Sequence, residues 1–142
     1  GSTGKIQEAI NLLADGSLAG GSRKVEVTGG TYDEVFVVNK SSTIDGTDTV
    51  NIVRTTGTQQ VIATVAATNV TIQDLNIQVN QNSNAGQPIA PVGIAATPAT
   101  TTDFNGLVLH NNVITSVGNS PANWTGSPGL SVRAAGIVLY DN

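Results

Sequence analysis

The chain has 142 residues, of which 39% are hydrophobic and 11% charged, with 10 acidic and 6 basic side chains and no cysteine. This length and hydrophobic content suit one folded domain with its own core and exclude a disordered chain. The scattered basic residues argue against a nucleic-acid surface, and the missing cysteines exclude disulfides and thiolate metal sites. No apolar run reaches the roughly 18 residues that a membrane span needs.

One amphipathic helix is predicted at the start of the chain, where apolar residues recur at the spacing of a single helix face. Ser2 or Thr3 is expected to cap its beginning, and Gly16 stands where a helix commonly stops. Residues 1–22 are therefore interpreted as a tag remnant, a capping helix and a Gly/Ser-rich loop. The apolar stripe consists of Ile6, Ala9, Ile10 and Leu13.

From residue 23 onward, every apolar cluster is short and typical of a β-strand. Gly, Asn, Asp, Thr and Pro separate the clusters, and no second helical period appears between them. A parallel sheet joined by crossover helices is therefore not expected. The clusters are Lys24–Val27, Val35–Val38, Thr43–Ile44, Asn51–Val53, Val61–Val65, Val70–Val79, Val92–Ala95, Gly106–Thr115 and Gly136–Leu139.

Three segments share one phrase, in which alternating apolar residues lead to Asn or Asp and then to a second apolar pair. They are Val70–Ile77, Leu107–Ile114 and Ile137–Asn142, and Thr43–Gly46 carries an earlier version. A fixed strand phrase at uneven spacing is typical of a solenoid whose loops vary from turn to turn. The sequence therefore predicts an all-β fold, with β-helix rungs over 23–142.

Asp74, Asn111 and Asp141 occupy the same place in the three segments. Asn and Asp tolerate left-handed backbone and bond to nearby backbone groups, so a structural ladder at a rung corner is the favoured interpretation. The alternative is a metal-binding pair of carboxylates. Because rungs repeat at about 4.8 Å and the middle member is Asn, the two Asp residues would lie roughly 10 Å apart. No metal or cofactor is predicted, and calcium has no support.

Four segments together resemble the opening of pectin-lyase-like β-helix proteins, including pectin methylesterases and phage or bacterial surface β-helices. They are Lys5–Ile10, Val25–Val35, Ser42–Gly46 and Ala67–Ile77, which match an "IQ-AI" helix, a "V-V--G-Y-E-V" strand pair, a "-TI-G" strand and a recurrent rung. The resemblance implies a right-handed parallel β-helix whose open end is capped by the helix. It does not imply one chemistry, because the superfamily contains lyases, hydrolases, esterases, epimerases, tailspikes and inert fibres.

Catalytic candidates are few and weak. Asp45, Asp48 and Asp74 form the best carboxylate cluster, with Asp74 expected one rung above Asp45, and glycoside hydrolases use such carboxylates. The stretch Asp45–Asp48 is equally an ordinary turn sequence. His110, the single histidine, is placed on an outward position, where it is either a base or an exposed, hydrogen-bonded side chain.

Candidates for glycan contact lie nearer the end of the chain. Trp124 and Asn123 belong to the loop 118–129, and Tyr140 is expected near the surface that this loop forms with residues 80–91. Trp124 either stacks on a sugar or folds back as a lid on hydrophobic side chains, and the lid is the favoured interpretation.

The chain stops at Asn142, inside the phrase that elsewhere continues with an apolar pair. We therefore expect its own continuation or another chain to cover this end. The favoured function is a non-catalytic structural or recognition module of an extracellular, cell-surface or virion β-helix that contacts polysaccharide, without nucleic acid or a membrane span. The alternative is the N-terminal part of a polysaccharide lyase, hydrolase, esterase or epimerase.

Overall fold

The computed structural model describes residues 5–13, 23–53, 61–80, 92–96, 106–117, 130–132 and 138–140. These residues form one short helix and a succession of short strands. The elements are α1 (Ile6–Leu12), β1 (Lys24–Val27), β2 (Gly30–Tyr32), β3 (Phe36–Val38), β4 (Thr43–Gly46), β5 (Val50–Val53), β6 (Val61–Val65), β7 (Thr71–Gln73), β8 (Asn76–Asn80), β9 (Val92–Ala96), β10 (Val108–His110), β11 (Val113–Val117), β12 (Leu130–Val132) and β13 (Val138–Tyr140).

The strands pair in parallel and form three stacked sheets. Sheet A has the order β1-β4-β7-β10-β13, sheet B the order β2-β5-β8-β11, and sheet C the order β3-β6-β9-β12. Each strand therefore pairs with the third strand after it, and three consecutive strands make one rung. This all-β arrangement with one N-terminal helix is consistent with a parallel β-solenoid.

The core lies between the three sheets and is built from side chains that stack in register from rung to rung. In sheet A, Ile44 and Ile72 are fully buried, and Val25 and Leu109 continue the same stack. Burial of one such aliphatic side chain stabilises the fold by about 1.5–3 kcal/mol. Buried residues alternate with exposed ones along β1 and with half-buried ones along β5, which is the period of two that the sequence predicts.

Helix α1 lies against the first rung through Ile6 and Ile10, which are both buried. The N-cap residue of this helix is Lys5, which makes no side-chain cap hydrogen bond, and the expected caps Ser2 and Thr3 lie outside the described residues. Instead, the Ile6 N–H donates to the Glu34 carboxylate at 2.8 Å, and the Gln7 N–H donates to it at 3.3 Å. A carboxylate here satisfies unpaired N–H groups of the first turn.

The same helix closes the edge of sheet C. The Val37 N–H donates to Gln7 Oε1 at 2.7 Å, and Gln7 Nε2 donates to the Val37 carbonyl at 3.4 Å. The side-chain amide of Gln7 therefore replaces the peptide group of a neighbouring strand. At the other end of the helix, Lys40 Nζ donates to the carbonyls of Asn11 and Leu13, where a cation suits the helix dipole.

The corner between sheets A and B has left-handed backbone at Asp74 (φ 59°) and Asn111 (φ 50°). This confirms the conformation expected for the Asx positions, while Asp141 lies outside the described residues. The next residue, Asn112, is 1% exposed, and its side chain bonds to the backbone of the preceding rung. Its Nδ2 donates to the Ile72 carbonyl at 2.9 Å, and its Oδ1 accepts from the Leu75 N–H at 3.4 Å.

Candidate functional site

An open groove of about 340 Å³ lies at the corner where sheet A passes into sheet B. We call it the corner groove. Asp48 and Asp74 line it with Asn76 and Asn111, and Val113 contributes an aliphatic side chain that is 51% exposed. The groove thus combines carboxylate and amide groups with a small apolar surface.

A second groove of about 240 Å³ continues along sheet B, and we call it the sheet B groove. Thr31, Asn51, Gln78 and Thr115 supply its polar groups. Asn76 lines both grooves, so the two form one continuous polar surface. The register places Asn51 beside Asn76, and Gln78 beside Thr115, on adjacent strands.

Local backbone requirements fix the shape of the corner groove. A Cβ at Gly46 would lie 2.1 Å from the Asp74 carbonyl oxygen, so the close approach of these two rungs requires glycine. The left-handed backbone at Asp74 and Asn111 turns the chain into sheet B. Asn111 Nδ2 donates to Asp74 Oδ1 at 2.5 Å, which holds the two side chains of the corner together.

A second set of polar side chains forms an outward row on sheet A, centred on Asp45. Lys24 Nζ lies 2.6 Å from Asp45 Oδ2 and 3.1 Å from Glu26, and Gln73 Nε2 donates to Asp45 Oδ1 at 2.8 Å. Burial opposes the charge on Asp45, but the hydrogen bonds from Lys24 and Gln73 outweigh it and hold the pKa of Asp45 below its ordinary value. A proton-donating catalytic carboxyl needs a raised pKa, so these surroundings do not favour Asp45 as a general acid.

Asp74 lies on the rung after Asp45, one residue beyond the position directly beside it. Thr43 pairs with Thr71, so Gln73 lies beside Asp45 on the next rung and Asp74 follows Gln73 at the corner. Asp74 still lies near the Asp45 carboxylate, and it lines the corner groove with Asp48. The three carboxylates are therefore neighbours, arranged around the corner rather than along one face.

His110 lies farther along the outward row. Gln73 separates it from Asp45 in the register, a distance of roughly 10 Å for two rungs. Its carbonyl accepts the Asp74 N–H at 3.2 Å. The backbone of Tyr140 pairs beside His110 in β13, whereas Trp124 and Asn123 lie outside the described residues.

Sequence reasoning missed the amides that stand out in the structure, namely Gln73, Asn76 and Gln78. The similarity of Thr43–Gly46 to Thr71–Asp74 predicts the register in which Gln73 lies beside Asp45. The two residues of sheet B carried no such signal, because isolated amides in strands are common on solvent-facing positions.

Within the described ranges, no group of three or more His, Cys, Asp or Glu side chains is arranged to hold a metal ion. No helix in this part of the chain is long and apolar enough to cross a bilayer. Comparison of the chain with protein families, with curated proteins and with solved structures gives no match.

Proposed function

We propose that the chain is a right-handed parallel β-helix of the pectin-lyase-like type and serves as a non-catalytic recognition module that contacts polysaccharide. The contact surface is the corner groove together with the sheet B groove. The observation that carries the proposal is their continuity through Asn76, which produces one extended polar surface on a stacked scaffold.

The chemistry of this surface suits sugars. Carboxylates accept hydrogen bonds from hydroxyl groups, and amides both donate and accept them. The exposed aliphatic face of Val113 offers contact to the C–H face of a sugar ring. Because rungs repeat at about 4.8 Å, the same kinds of group recur along the surface and favour an extended chain over a compact ligand.

The charges in the grooves select the class of polysaccharide. Among the residues that the structure describes, Asp48 and Asp74 are the ionisable ones that line them, and no Lys, Arg or His is included. Carboxylates repel anionic ligands, so a neutral or amino-sugar polymer is preferred over a polyuronate. Polysaccharides of this kind belong to cell surfaces and their surroundings, which agrees with an extracellular, cell-surface or virion location.

A titration with oligosaccharides tests the proposal. Neutral gluco-, manno- and xylo-oligosaccharides, chito-oligosaccharides and oligogalacturonates are added to the protein, and affinity is measured by calorimetry. We expect binding of a neutral or amino-sugar member and none of the oligogalacturonates. Asn76→Ala removes the amide shared by both grooves and should weaken binding by about fivefold to tenfold, the equivalent of one lost hydrogen bond of about 1 kcal/mol.

Asn39→Ala is the matched control, because Asn39 is an exposed amide outside both grooves. It should leave the affinity unchanged. The proposal fails if no member of the series binds at millimolar concentration, or if Asn76→Ala and Asn39→Ala bind equally well.

A further inference from the structure

The first strands of sheets A and C differ in how their outer edges are covered. In sheet C, the backbone of Val37 in β3 is paired with the amide of Gln7. In sheet A, β1 pairs with β4 on one side, and among the described residues no strand pairs with its other side. An open edge of this kind is a template for an additional strand.

The register shows which backbone groups of β1 face this open edge. The Thr43 N–H donates to the Arg23 carbonyl at 2.8 Å, and the Thr47 N–H donates to the Val27 carbonyl at 3.0 Å. Successive residues of a strand direct their N–H and C=O groups to opposite sides. The backbone groups of Lys24 and Glu26 therefore point away from β4, toward the open edge.

A groove of about 180 Å³ runs along the same edge, between α1 and β1. Ile6 and Ala9 of the helix form one wall, Val25 and Val27 of the strand form the other, and Tyr32 closes one part of it. A strand added beside β1 would turn alternate side chains toward this groove. Lys5, Glu26 and Thr28 complete the lining, so the small groove suits a short aliphatic side chain at its apolar part.

The charges beside the groove indicate which side chains an added strand should carry. Lys24 and Glu26 lie on the solvent face of β1, with side chains 35% and 62% exposed, and Lys24 already pairs with Glu26 and with Asp45. Directly opposite residues on paired strands interact, and opposite charges are favourable. An added strand should therefore carry an acidic residue beside Lys24, a basic residue beside Glu26 and an aliphatic residue between them.

We propose that the open edge of β1 binds an extended peptide segment of a partner polypeptide, which adds to sheet A as an antiparallel strand with the order basic–aliphatic–acidic. Antiparallel pairing is slightly more stable per residue than parallel pairing. In that direction, the required order matches the order Lys24-Val25-Glu26 of β1 itself. Backbone hydrogen bonds supply the affinity, and the two charges with the aliphatic residue supply the specificity.

Two labelled peptides test this assignment by fluorescence anisotropy at low salt. The first has the sequence of residues 23–28 with blocked ends, and the second has its lysine and glutamate exchanged. We expect the first to bind the full chain at least fivefold more tightly than the second. In the double variant K24E/E26K the preference should reverse, because both cross-strand pairs change sign together.

Glu26→Pro provides a second variant. Proline removes an N–H that points to the open edge and leaves the ladder to β4 intact, so binding of the first peptide should be lost while circular dichroism stays unchanged. Asn76→Ala should bind the peptide normally, since the glycan surface lies elsewhere. Failure of the first peptide to bind, equal affinity for both peptides, or an unchanged preference in K24E/E26K would overturn the proposal, whatever the folding state of the proline variant.

Discussion

At the scale of single residues, the structure depends on a few backbone positions that cannot be exchanged freely. Asp74 and Asn111 hold left-handed conformations that Asx residues tolerate better than β-branched or bulky ones, and their alignment in the repeated phrase made this predictable. The role of Asn112 was not predictable in the same way, because its partners Ile72 and Leu75 belong to the preceding rung.

Gly46 gives the sharpest expectation at this scale. Gly46→Ala introduces a methyl group 2.1 Å from the Asp74 carbonyl oxygen, so the two rungs must separate. We expect a loss of about 1–3 kcal/mol in the free energy of unfolding, as for other overpacked sites. Urea denaturation measures it. Thr49→Ala, an exposed change on the same turn, should stay within about 0.5 kcal/mol, and equal effects of the two variants would contradict the steric argument.

Asp45 should make the protein less stable in acid. Its pKa in the folded state is lowered from an ordinary value of 3.8, so its contribution is complete above about pH 4 and is lost as the pH falls through the lowered value. The free energy of unfolding, measured with urea between about pH 2.5 and pH 7, should therefore fall less steeply in acid for Asp45→Asn than for the wild type. Lys24→Gln, which removes the ion pair, should likewise reduce the fall in the free energy of unfolding at low pH. If the free energy of unfolding falls in acid as steeply in both variants as in the wild type, the Lys24–Asp45 pair is not formed in solution.

At the scale of elements, sequence reasoning identified the helix but not its attachment. The apolar stripe of α1 was visible because its period is local. The cap was not, since Glu34 lies far along the chain and local capping rules consider only adjacent residues. Strand β2 was likewise missed, because Gly30 at its start favoured a turn.

Glu34→Ala tests the attachment of the helix. The variant leaves the N–H groups of Ile6 and Gln7 without their carboxylate, and we expect a loss of about 1–2 kcal/mol in the free energy of unfolding. Hydrogen exchange should accelerate at the amides of α1 before it does so in sheet A. Glu8→Ala, at an exposed position of the same helix, is the matched control and should have a smaller effect. The capping role would be refuted by equal exchange rates in the two variants.

At the scale of the whole molecule, the stacked parallel sheets followed from the repeated phrase, because similar strands bury their apolar faces only against one another. The register also followed, because the spacings of the repeated phrase match the observed pairing of Thr43 with Thr71, of Thr71 with Val108 and of Val108 with Val138. In that register Gln73 lies beside Asp45, and Asp74 follows one residue later at the corner. The grooves themselves could not be predicted, because residues of three rungs line the corner groove and residues of four rungs line the sheet B groove.

The stacking of the rungs also determines which elements a substitution in the core should destabilise. Ile72 lies between Ile44 and Leu109, and all three are fully buried, so Ile72→Ala leaves a cavity with neighbours on both sides. We expect a loss of about 2–5 kcal/mol in the free energy of unfolding and faster hydrogen exchange in β4 and β10 alike. Ile6→Ala removes the same atoms at the end of the stack, where a repeat structure loses only one neighbouring interface. In Ile6→Ala, hydrogen exchange should accelerate mainly at the amides of α1. If Ile6→Ala destabilises all rungs as much as Ile72→Ala does, the molecule unfolds as one unit and nearest-neighbour coupling does not describe it.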